Sequence, residues 1–246
     1  GDFSISVERQ FGKRVSVIGG INEFDSSYLL KPGEAFATPA FTGGYSNRGF
    51  ERMSEALYDW QFDHLLPRGR AVDKAHAARP VIYNSWYPYE FGVCEENCLR
   101  LIEKCAPLGV ELFVIDDGWM PGRVNAKTGL GDWTADERRF PRGLAALSDA
   151  CHAKGMMFGL WVEPEMVNPD SNLYRAHPEW VIHSATRPMA QQRHQLVLNL
   201  ARDDVRDWAI AWLDDLIARC KLDYLKWDMN RYVSENGWPD VPVEER

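Results

Sequence analysis

Apolar runs and amphipathic stretches alternate along most of this chain. Four short apolar runs predict strands, at residues 81–86, 111–116, 156–162 and 222–228. Apolar residues at helical spacing predict three helices, at residues 95–106, at residues 141–155 and from residue 203 or 204 onward. Because repeated β-then-α order is typical of parallel sheets, we predict an α/β fold over this part of the chain.

Residues 1 to about 42 follow a different pattern. Apolar and polar side chains alternate at residues 3–7 and 15–18, and Gly19 and Gly20 interrupt the second run. Alternation with a period of two is typical of strands that bury one face. We therefore predict antiparallel β structure with turns in this region.

Two segments connect these regions. Residues 48–66 carry apolar side chains at helical spacing, which predicts a connecting helix. Residues 67–79 are rich in Arg, Ala and Lys and contain Pro and Gly, a composition typical of an exposed linker. We therefore predict two domains, at residues 1–74 and 75–246.

The first predicted strand of the α/β region helps to identify the form of the sheet. No glycine-rich fingerprint follows residues 81–86, so a dinucleotide-binding sheet lacks its main sequence signal. A barrel fits better, and four β/α units are about half of a complete (β/α)8 TIM barrel. We therefore expect a partial barrel of about the first four units. The first residue is Gly rather than Met, and we expect the chain to be a piece of a longer protein.

The fourth predicted strand ends in the sequence KWDMNR, which covers residues 226–231. In an extended chain alternate residues share a face, so Lys226, Asp228 and Asn230 are expected to project together. A neighbouring ammonium group keeps a carboxylate ionised, and barrels place their chemistry at the C-terminal ends of strands. Asp228 is therefore a candidate nucleophile, and a solvated ion pair at a strand end is the structural alternative.

Tryptophan and acidic residues are predicted at all four strand ends: Trp86, Asp116, Asp117, Trp161, Glu163, Glu165 and Asp228. In a barrel these ends converge on one face and form a cup. Indole faces stack on the apolar face of a pyranose, and carboxylates accept hydrogen bonds from its hydroxyl groups. Sugar binding needs fewer assumptions than a metal site, which requires a third oxygen ligand in fixed geometry.

Two candidate residues stay ambiguous at this level. Trp161 fits a buried core position as well as a pocket wall, because tryptophan is often buried. Arg193 precedes a predicted strand at residues 195–200 and fits an ordinary surface arginine equally well.

Charge and hydropathy limit the possible partners. The net charge is −8 and the isoelectric point is near 5.3, and no Lys/Arg run forms a basic stripe, which argues against nucleic acid. No apolar run approaches the roughly 20 residues of a membrane span, so we predict no membrane partner. No charged-then-apolar leader opens the chain, and we predict a cytoplasmic location.

Cysteine and histidine patterns give no support for a metal or another cofactor. The five cysteines are an odd number, which favours a reducing compartment over a disulfide framework. Cys94, Cys98 and Cys105 fall on one face of a predicted helix and are expected to be buried. The six histidines show no zinc-binding spacing. We therefore predict no metal and no cofactor.

Five ordered segments resemble a known family: NSWY, DDGW, FGLWVEPEMV, RHQLVLNL and YLKWDMNR. Over about residues 80–240 the chain looks like the α-galactosidases of glycoside hydrolase family 36, the melibiases. The preceding segment is similar to the end of that family's N-terminal β-sandwich domain. By this resemblance Asp228 is the catalytic nucleophile. The implied substrate-binding residues are Trp86, Asp116, Asp117, Trp161, Arg193, Lys226 and Asn230.

The resemblance implies retaining hydrolysis of terminal α-D-galactosyl residues from α-galactoside oligosaccharides. It places the acid/base Asp on a later barrel strand beyond Arg246, so this chain alone is expected to be inactive. It also implies a homo-oligomer at full length. One departure is local: the family commonly has N-x-W-E-A after the first strand, whereas this chain continues from Trp86 with Tyr87 and Pro88.

Other functions remain open from sequence. The same residues fit an α-galactosyl transglycosylase. An α-glucosidase-like barrel of another family also uses a W-x-D-M-N string, usually with Glu where this chain has Arg231. A non-catalytic galactose-binding module would need no reactive Asp228, and a purely structural piece would expose unpaired strand edges.

Overall fold

The structure is a computed structural model that describes residues 3–22, 28–65, 80–233 and 237–242. The chain divides into two compact units, Gly1–Arg79 and Pro80–Arg246. The predicted linker and the predicted domain boundary after residue 74 lie outside the described residues.

The first unit contains a β-hairpin and a helix. Strands β1 (Phe3–Arg9) and β2 (Val15–Ile21) pair antiparallel, which confirms the strands predicted from alternation. The predicted β structure does not continue over residues 28–42, which contain no strand. Helix α1 (Gly49–His64) confirms the predicted connecting helix.

The described residues of the second unit form six strands: β3 (Ile82–Asn84), β4 (Leu112–Ile115), β5 (Met157–Val162), β6 (Met166–Val167), β7 (Leu196–Val197) and β8 (Tyr224–Trp227). Its α-helices are α2 (Trp86–Tyr89), α3 (Glu95–Cys105), α4 (Ala145–His152), α5 (Asn172–Ala176) and α6 (Asp203–Cys220). Short 3-10 helices lie at Glu90–Gly92, Ala106–Leu108 and Pro178–Trp180.

The four strands predicted from short apolar runs form one parallel sheet, in the order β3-β4-β5-β8. Every residue of β4 is buried, and in β5 only Met157 is partly exposed. Strands covered on both faces need apolar side chains at every position, which explains the continuous apolar runs of β4 and β5. Strands β3 and β8, at the two ends of the sheet order, contain no buried residue. The predicted α/β class with a parallel sheet is therefore confirmed.

Local hydrogen bonding shortens the first strand. Trp86 does not end β3 but begins α2, because the backbone of Ser85 is already helical at φ −75° and ψ −5°. The Asn84 side chain accepts the Trp86 backbone N–H at 2.8 Å, so it competes with continued strand pairing. The result moves Trp86 from a strand end to the first turn of a helix.

Two other elements are also shorter than predicted. The helix expected at residues 141–155 begins only at Ala145, because Gly143 has a left-handed backbone with φ +73°. The strand expected at residues 195–200 is reduced to β7. It pairs antiparallel with β6 and stands apart from the parallel sheet.

The core of the second unit lies between the sheet and helices α3, α4 and α6. All five cysteines are free thiols. Cys98 and Cys105 are buried, as predicted, and so are Cys151 and Cys220, whereas Cys94 was predicted to be buried and is partly exposed. Burial raises the pKa of Cys151 to about 12, which makes that thiol unreactive at neutral pH. Among the described residues no helix is both long and apolar enough to cross a membrane.

Candidate functional site

Asp228 lies immediately after β8, where its backbone N–H still donates to the Val162 carbonyl at 2.9 Å. Its side chain is 34% exposed, so the carboxylate is accessible but partly enclosed. Oδ2 accepts hydrogen bonds from Trp161 Nε1 and from Asn230 Nδ2, both at 3.0 Å. The ammonium group of Lys226 lies 3.6 Å from the same oxygen. Two hydrogen-bond donors and one ammonium charge thus converge on one oxygen.

These donors keep Asp228 ionised. Burial alone raises the pKa of Asp228, but hydrogen bonds from Trp161 and Asn230 and the charge of Lys226 outweigh it, and the pKa lies below its ordinary value. An ionised, partly exposed carboxylate is the form that a nucleophile requires.

Lys226 joins the ends of two strands. Its Nζ donates to Asp116 Oδ2 at 2.7 Å while lying near Asp228. Burial acts to lower the pKa of Lys226, but its hydrogen bond to Asp116 and the charges of both carboxylates raise it above its ordinary value. A permanent cation therefore bridges the acidic groups that follow β4 and β8.

Asp116 is buried and held from several sides. Besides Lys226, Asn84 Nδ2 donates to its Oδ2 at 2.5 Å, and its Oδ1 accepts the backbone N–H of Asp117 at 2.9 Å. Its own backbone N–H donates to Ser85 Oγ at 2.9 Å. The side chain is therefore fixed in one orientation at the end of β4.

Asp117 pairs with an arginine. Nε of Arg123 donates to Oδ1 at 2.8 Å, and Nη2 donates to Oδ2 at 2.6 Å. Burial raises the pKa of Asp117, while the hydrogen bonds and charge of Arg123 oppose that rise. The guanidinium group is buried as well and lies over the Phe91 ring, 5.4 Å from its centroid. The pair is a largely buried bidentate ion pair, in which 10% of the Asp117 side chain stays exposed.

The two tryptophans of the predicted cup differ in their surroundings. Trp161 is 1% exposed, and its ring packs in the core near Trp133, with 6.2 Å between centroids. A buried ring offers no face for stacking on a sugar, so Trp161 contributes its N–H to Asp228 instead. Trp86 is partly exposed and packs edge-on against Phe91 at 5.1 Å.

Arg193 and Asn230 lie at exposed positions in loops. Arg193 and His194 are the central residues of a tight turn between Gln192 and Gln195. Both have a left-handed backbone, with φ +54° and +61°. Asn230 follows Asp228 by two residues and contacts its carboxylate directly.

Glu163 and Glu165, which were also expected in the cup, are buried supports. Glu163 accepts the backbone N–H of Asn230 at 3.2 Å and the side-chain N–H of Gln195 at 3.1 Å, and burial raises its pKa to about 7. Glu165 accepts the Trp227 indole N–H at 2.6 Å, and burial raises its pKa. Both carboxyl groups hold the chain around Asp228.

The predicted residues therefore do not all meet at one point. Direct contacts join Asp116, Lys226, Asp228, Trp161 and Asn230. Asp117 is adjacent in sequence, and Trp86 is linked through Asn84, which contacts both its backbone and Asp116. Within the described ranges no group of three or more His, Cys, Asp and Glu side chains is arranged to hold a metal ion.

A family model described as Melibiase matches residues 35–246, which is most of the chain. The chain belongs to the melibiase family. This confirms the resemblance expected from the five ordered segments.

Relatives of this melibiase chain are bacterial and fungal. It is 41% identical over 248 residues to α-galactosidase AgaA of Geobacillus stearothermophilus, covering 100% of this chain and 33% of the relative. It is 40% identical over 249 residues to the probable α-galactosidase G of Aspergillus terreus, covering 97% and 34%. The chain thus spans about a third of the length of the curated relatives it matches.

A solved structure supports the fold of this melibiase chain. A variant of the family 36 α-galactosidase AgaA from Geobacillus stearothermophilus, crystallised in complex with stachyose, superposes with a TM-score of 0.88. The sequence identity is 38%, over 99% of this chain and 33% of that one.

Sequence reasoning missed residues that support the side chains around Asp228. Asn84 joins Asp116 to the Trp86 turn, and Arg123 neutralises Asp117. The adjacent acids at 116 and 117 were a usable signal, because two buried carboxylates after one strand require a cationic partner. The position of that partner, six residues after Asp117, carries no motif.

Proposed function

We propose that this chain carries the nucleophile and galactose-binding residues of a retaining α-galactosidase. One observation carries the proposal. The partly exposed carboxylate of Asp228 accepts two hydrogen bonds and lies beside the Lys226 ammonium group, and its pKa is below the ordinary value. Such a group is ionised and oriented, and membership of the melibiase family supports a galactosyl substrate.

In the proposed mechanism, Asp228 attacks the anomeric carbon as the bond to the leaving oxygen breaks. A second carboxyl group, about 5 to 5.5 Å from the nucleophile, protonates that oxygen. The same group then removes a proton from water, which hydrolyses the galactosyl ester on Asp228. We place this acid/base in the part of the relatives' length that the chain does not span.

The other residues have binding and positioning roles in this proposal. Asp116 and Asp117 accept hydrogen bonds from sugar hydroxyl groups, and Trp86 and Arg193 complete the binding surface. Asn230 donates to Asp228 and Lys226 pairs with it as a charge, and both donate to the sugar. Trp161 acts through its indole N–H, since its ring is buried.

The proposed function includes a finer interpretation of the fold. Strands β3, β4, β5 and β8 would be the first four of a (β/α)8 barrel, and the hairpin of the first unit would end a β-sandwich domain. The domain boundary after residue 74, a homo-oligomer and a cytoplasmic location stay predictions.

We propose α-galactoside oligosaccharides as substrates. A related α-galactosidase was crystallised in complex with stachyose, which supports this class. A panel of aryl α-galactosides and aryl α-glucosides on the full-length protein would separate the proposal from an α-glucosidase. Turnover of the glucosides alone would contradict it. Galactosyl transfer to an added sugar acceptor in the same assay would measure transglycosylation.

Covalent labelling tests the role of Asp228. We would treat the full-length protein with an activated fluorinated galactosyl reagent, which slows breakdown of the ester. Peptide mass spectrometry should find the label on Asp228, and the Asp228→Asn variant should take up none. A protein that binds galactose but remains unlabelled would be a non-catalytic module, and a label on another carboxylate would reassign the nucleophile.

A further inference from the structure

The turn that carries Arg193 has an unfavourable backbone for its sequence. Two-residue hairpin turns with both central residues at positive φ favour Asn-Gly or Gly-Gly. Here the central residues are Arg193 and His194, whose side chains disfavour that region. Such a conformation persists only when surrounding contacts determine it.

Buried side chains supply these contacts. Asn168 Nδ2 donates to the His194 carbonyl at 2.7 Å. Arg231 Nη1 donates to the Gln195 carbonyl at 2.6 Å. Asn168 and Arg231 are 0% and 3% exposed, so the turn is held from the protein interior.

Asn168 uses its full hydrogen-bonding capacity. Besides His194, its Nδ2 donates to the Ala126 carbonyl at 3.2 Å. Its Oδ1 accepts Arg123 Nη1 at 2.8 Å and the backbone N–H of Leu130 at 3.0 Å. Because every donor and acceptor of this amide is paired, its orientation is fixed.

Arg123 continues the connection to Asp117. Its Nε and Nη2 donate to the two carboxylate oxygens of Asp117, while its Nη1 donates to Asn168 Oδ1 and to the Thr128 carbonyl. A continuous buried path therefore runs from the Asp117 carboxylate through Arg123 and Asn168 to the backbone of the Arg193 turn. It joins two segments that are 76 positions apart in the numbering.

We propose that Arg123 and Asn168 are positioning residues that set Asp117 and the Arg193 turn as one unit for galactosyl recognition. This inference rests on the proposed function, which makes Asp117 and Arg193 sugar ligands. Neither buried residue needs to touch the sugar. Their effect is preorganisation: two groups that bind one ring are held in mutual register before substrate arrives.

The Asn168→Asp variant of the full-length protein tests the turn side of the unit. Aspartate keeps the shape of asparagine and an oxygen for Arg123. It replaces the amide donor by an oxygen facing the carbonyls of Ala126 and His194. We expect KM for an aryl α-galactoside to rise roughly 10- to 100-fold, by analogy with the loss of side chains that orient the ligands of a metal site. We expect kcat to change much less.

The comparison of KM with kcat distinguishes a loss of positioning from a general loss of stability. A variant that merely unfolds more readily has fewer active molecules, so kcat falls at unchanged KM. Asn172→Asp is the matched control, because Asn172 is exposed and its side chain accepts only from Arg175 among the described contacts. The control should keep both constants.

A second variant tests the link itself. Arg123→Lys keeps the charge but loses the bidentate grip on Asp117. We expect this variant to raise KM. In the double variant with Asn168→Asp, KM should rise by less than the product of the two single effects, because both substitutions disrupt the same connection between Asp117 and the Arg193 turn. Unchanged KM in either single variant, or fully multiplicative effects, would overturn the inference. A wild-type protein without α-galactosidase activity would instead overturn the proposed function, and this inference with it.

Discussion

At the scale of single residues, the arrangement around Asp228 depends on two hydrogen-bond donors and one cation, which come from two strands and the loop after them. Trp161 lies in β5, and Lys226 and Asn230 lie two residues before and two residues after Asp228. None of the three is a proton acceptor in these contacts. All of them favour the charged form of Asp228, and each therefore lowers its pKa.

We expect the Trp161→Phe variant to have a lower kcat/KM and to reach its full activity only at a higher pH than the wild type. Phenylalanine keeps an aromatic ring but removes the N–H that donates to Asp228. Loss of one hydrogen bond to a charged group costs about 1.5 to 3 kcal/mol. The pKa of Asp228 rises, so the acid limb of kcat/KM against pH moves to higher pH.

The control for this experiment is Trp212→Phe. The indole N–H of Trp212 is buried without a hydrogen-bond partner among the described residues, so its removal breaks no hydrogen bond. An unshifted acid limb in Trp161→Phe, or an equal shift in the control, would contradict the assigned role.

The raised pKa of Glu163 predicts that the stability of the fold depends on pH. Its pKa is about 7 in the folded chain, against an ordinary value of 4.5, because burial penalises the charged form. The folded state therefore holds this proton more tightly than the unfolded state. Its contribution to stability is full below about pH 4.5 and is lost as the pH rises through about 7.

The Glu163→Gln variant cannot titrate at this position. We expect the Tm of the wild type relative to this variant to fall between about pH 4.5 and pH 7. The exposed Glu137→Gln variant should show no such trend. Thermal unfolding followed by circular dichroism across that range measures the difference, and a constant difference would contradict the buried-proton interpretation.

At the scale of elements, β5 positions Trp161 and Glu163 because the neighbouring strands β4 and β8 pack closely against Gly159 of β5. A Cβ atom added at Gly159 would lie 3.1 Å from both Tyr224 Cδ1 and Val114 Cγ2. We expect Gly159→Val to lower the free energy of unfolding by about 1 to 3 kcal/mol, the usual cost of overpacking. Gly92→Ala is the control, since nothing lies within 4 Å of its added Cβ. Urea unfolding with equal m-values would test this, and equal stability of both variants would exclude tight packing at Gly159.

Element positions could be predicted well from the sequence, and element ends could not. Continuous apolar runs mark β4 and β5, since both faces of each strand are covered. The end of β3 depends on the Asn84 side chain, because its oxygen accepts the Trp86 backbone N–H, which is then not available for strand pairing. The two-residue β7 depends on β6, a partner that the sequence pattern did not reveal.

At the scale of the whole molecule, the chain spans about a third of its curated relatives. We expect residues 1–246 alone to hydrolyse no aryl α-galactoside, because the proposed acid/base lies elsewhere. A fluorescence assay with an aryl α-galactoside measures this. Turnover that disappears in Asp228→Asn would show that the second carboxyl group lies within this chain, and Glu165→Gln would then be the first variant to examine.

The sequence by itself determined the α/β class, the four parallel strands, the family and Asp228 as the candidate nucleophile. These follow from local apolar patterns and from motifs whose residues are close together in the chain. Only the tertiary structure decided that Trp161 is a buried donor, that Lys226 bridges Asp116 and Asp228, and that Arg123 pairs with Asp117. The physical reason is that burial and ion pairing depend on which side chains meet in space. The Lys226–Asp116 contact joins residues 110 positions apart, a distance over which no local pattern carries information.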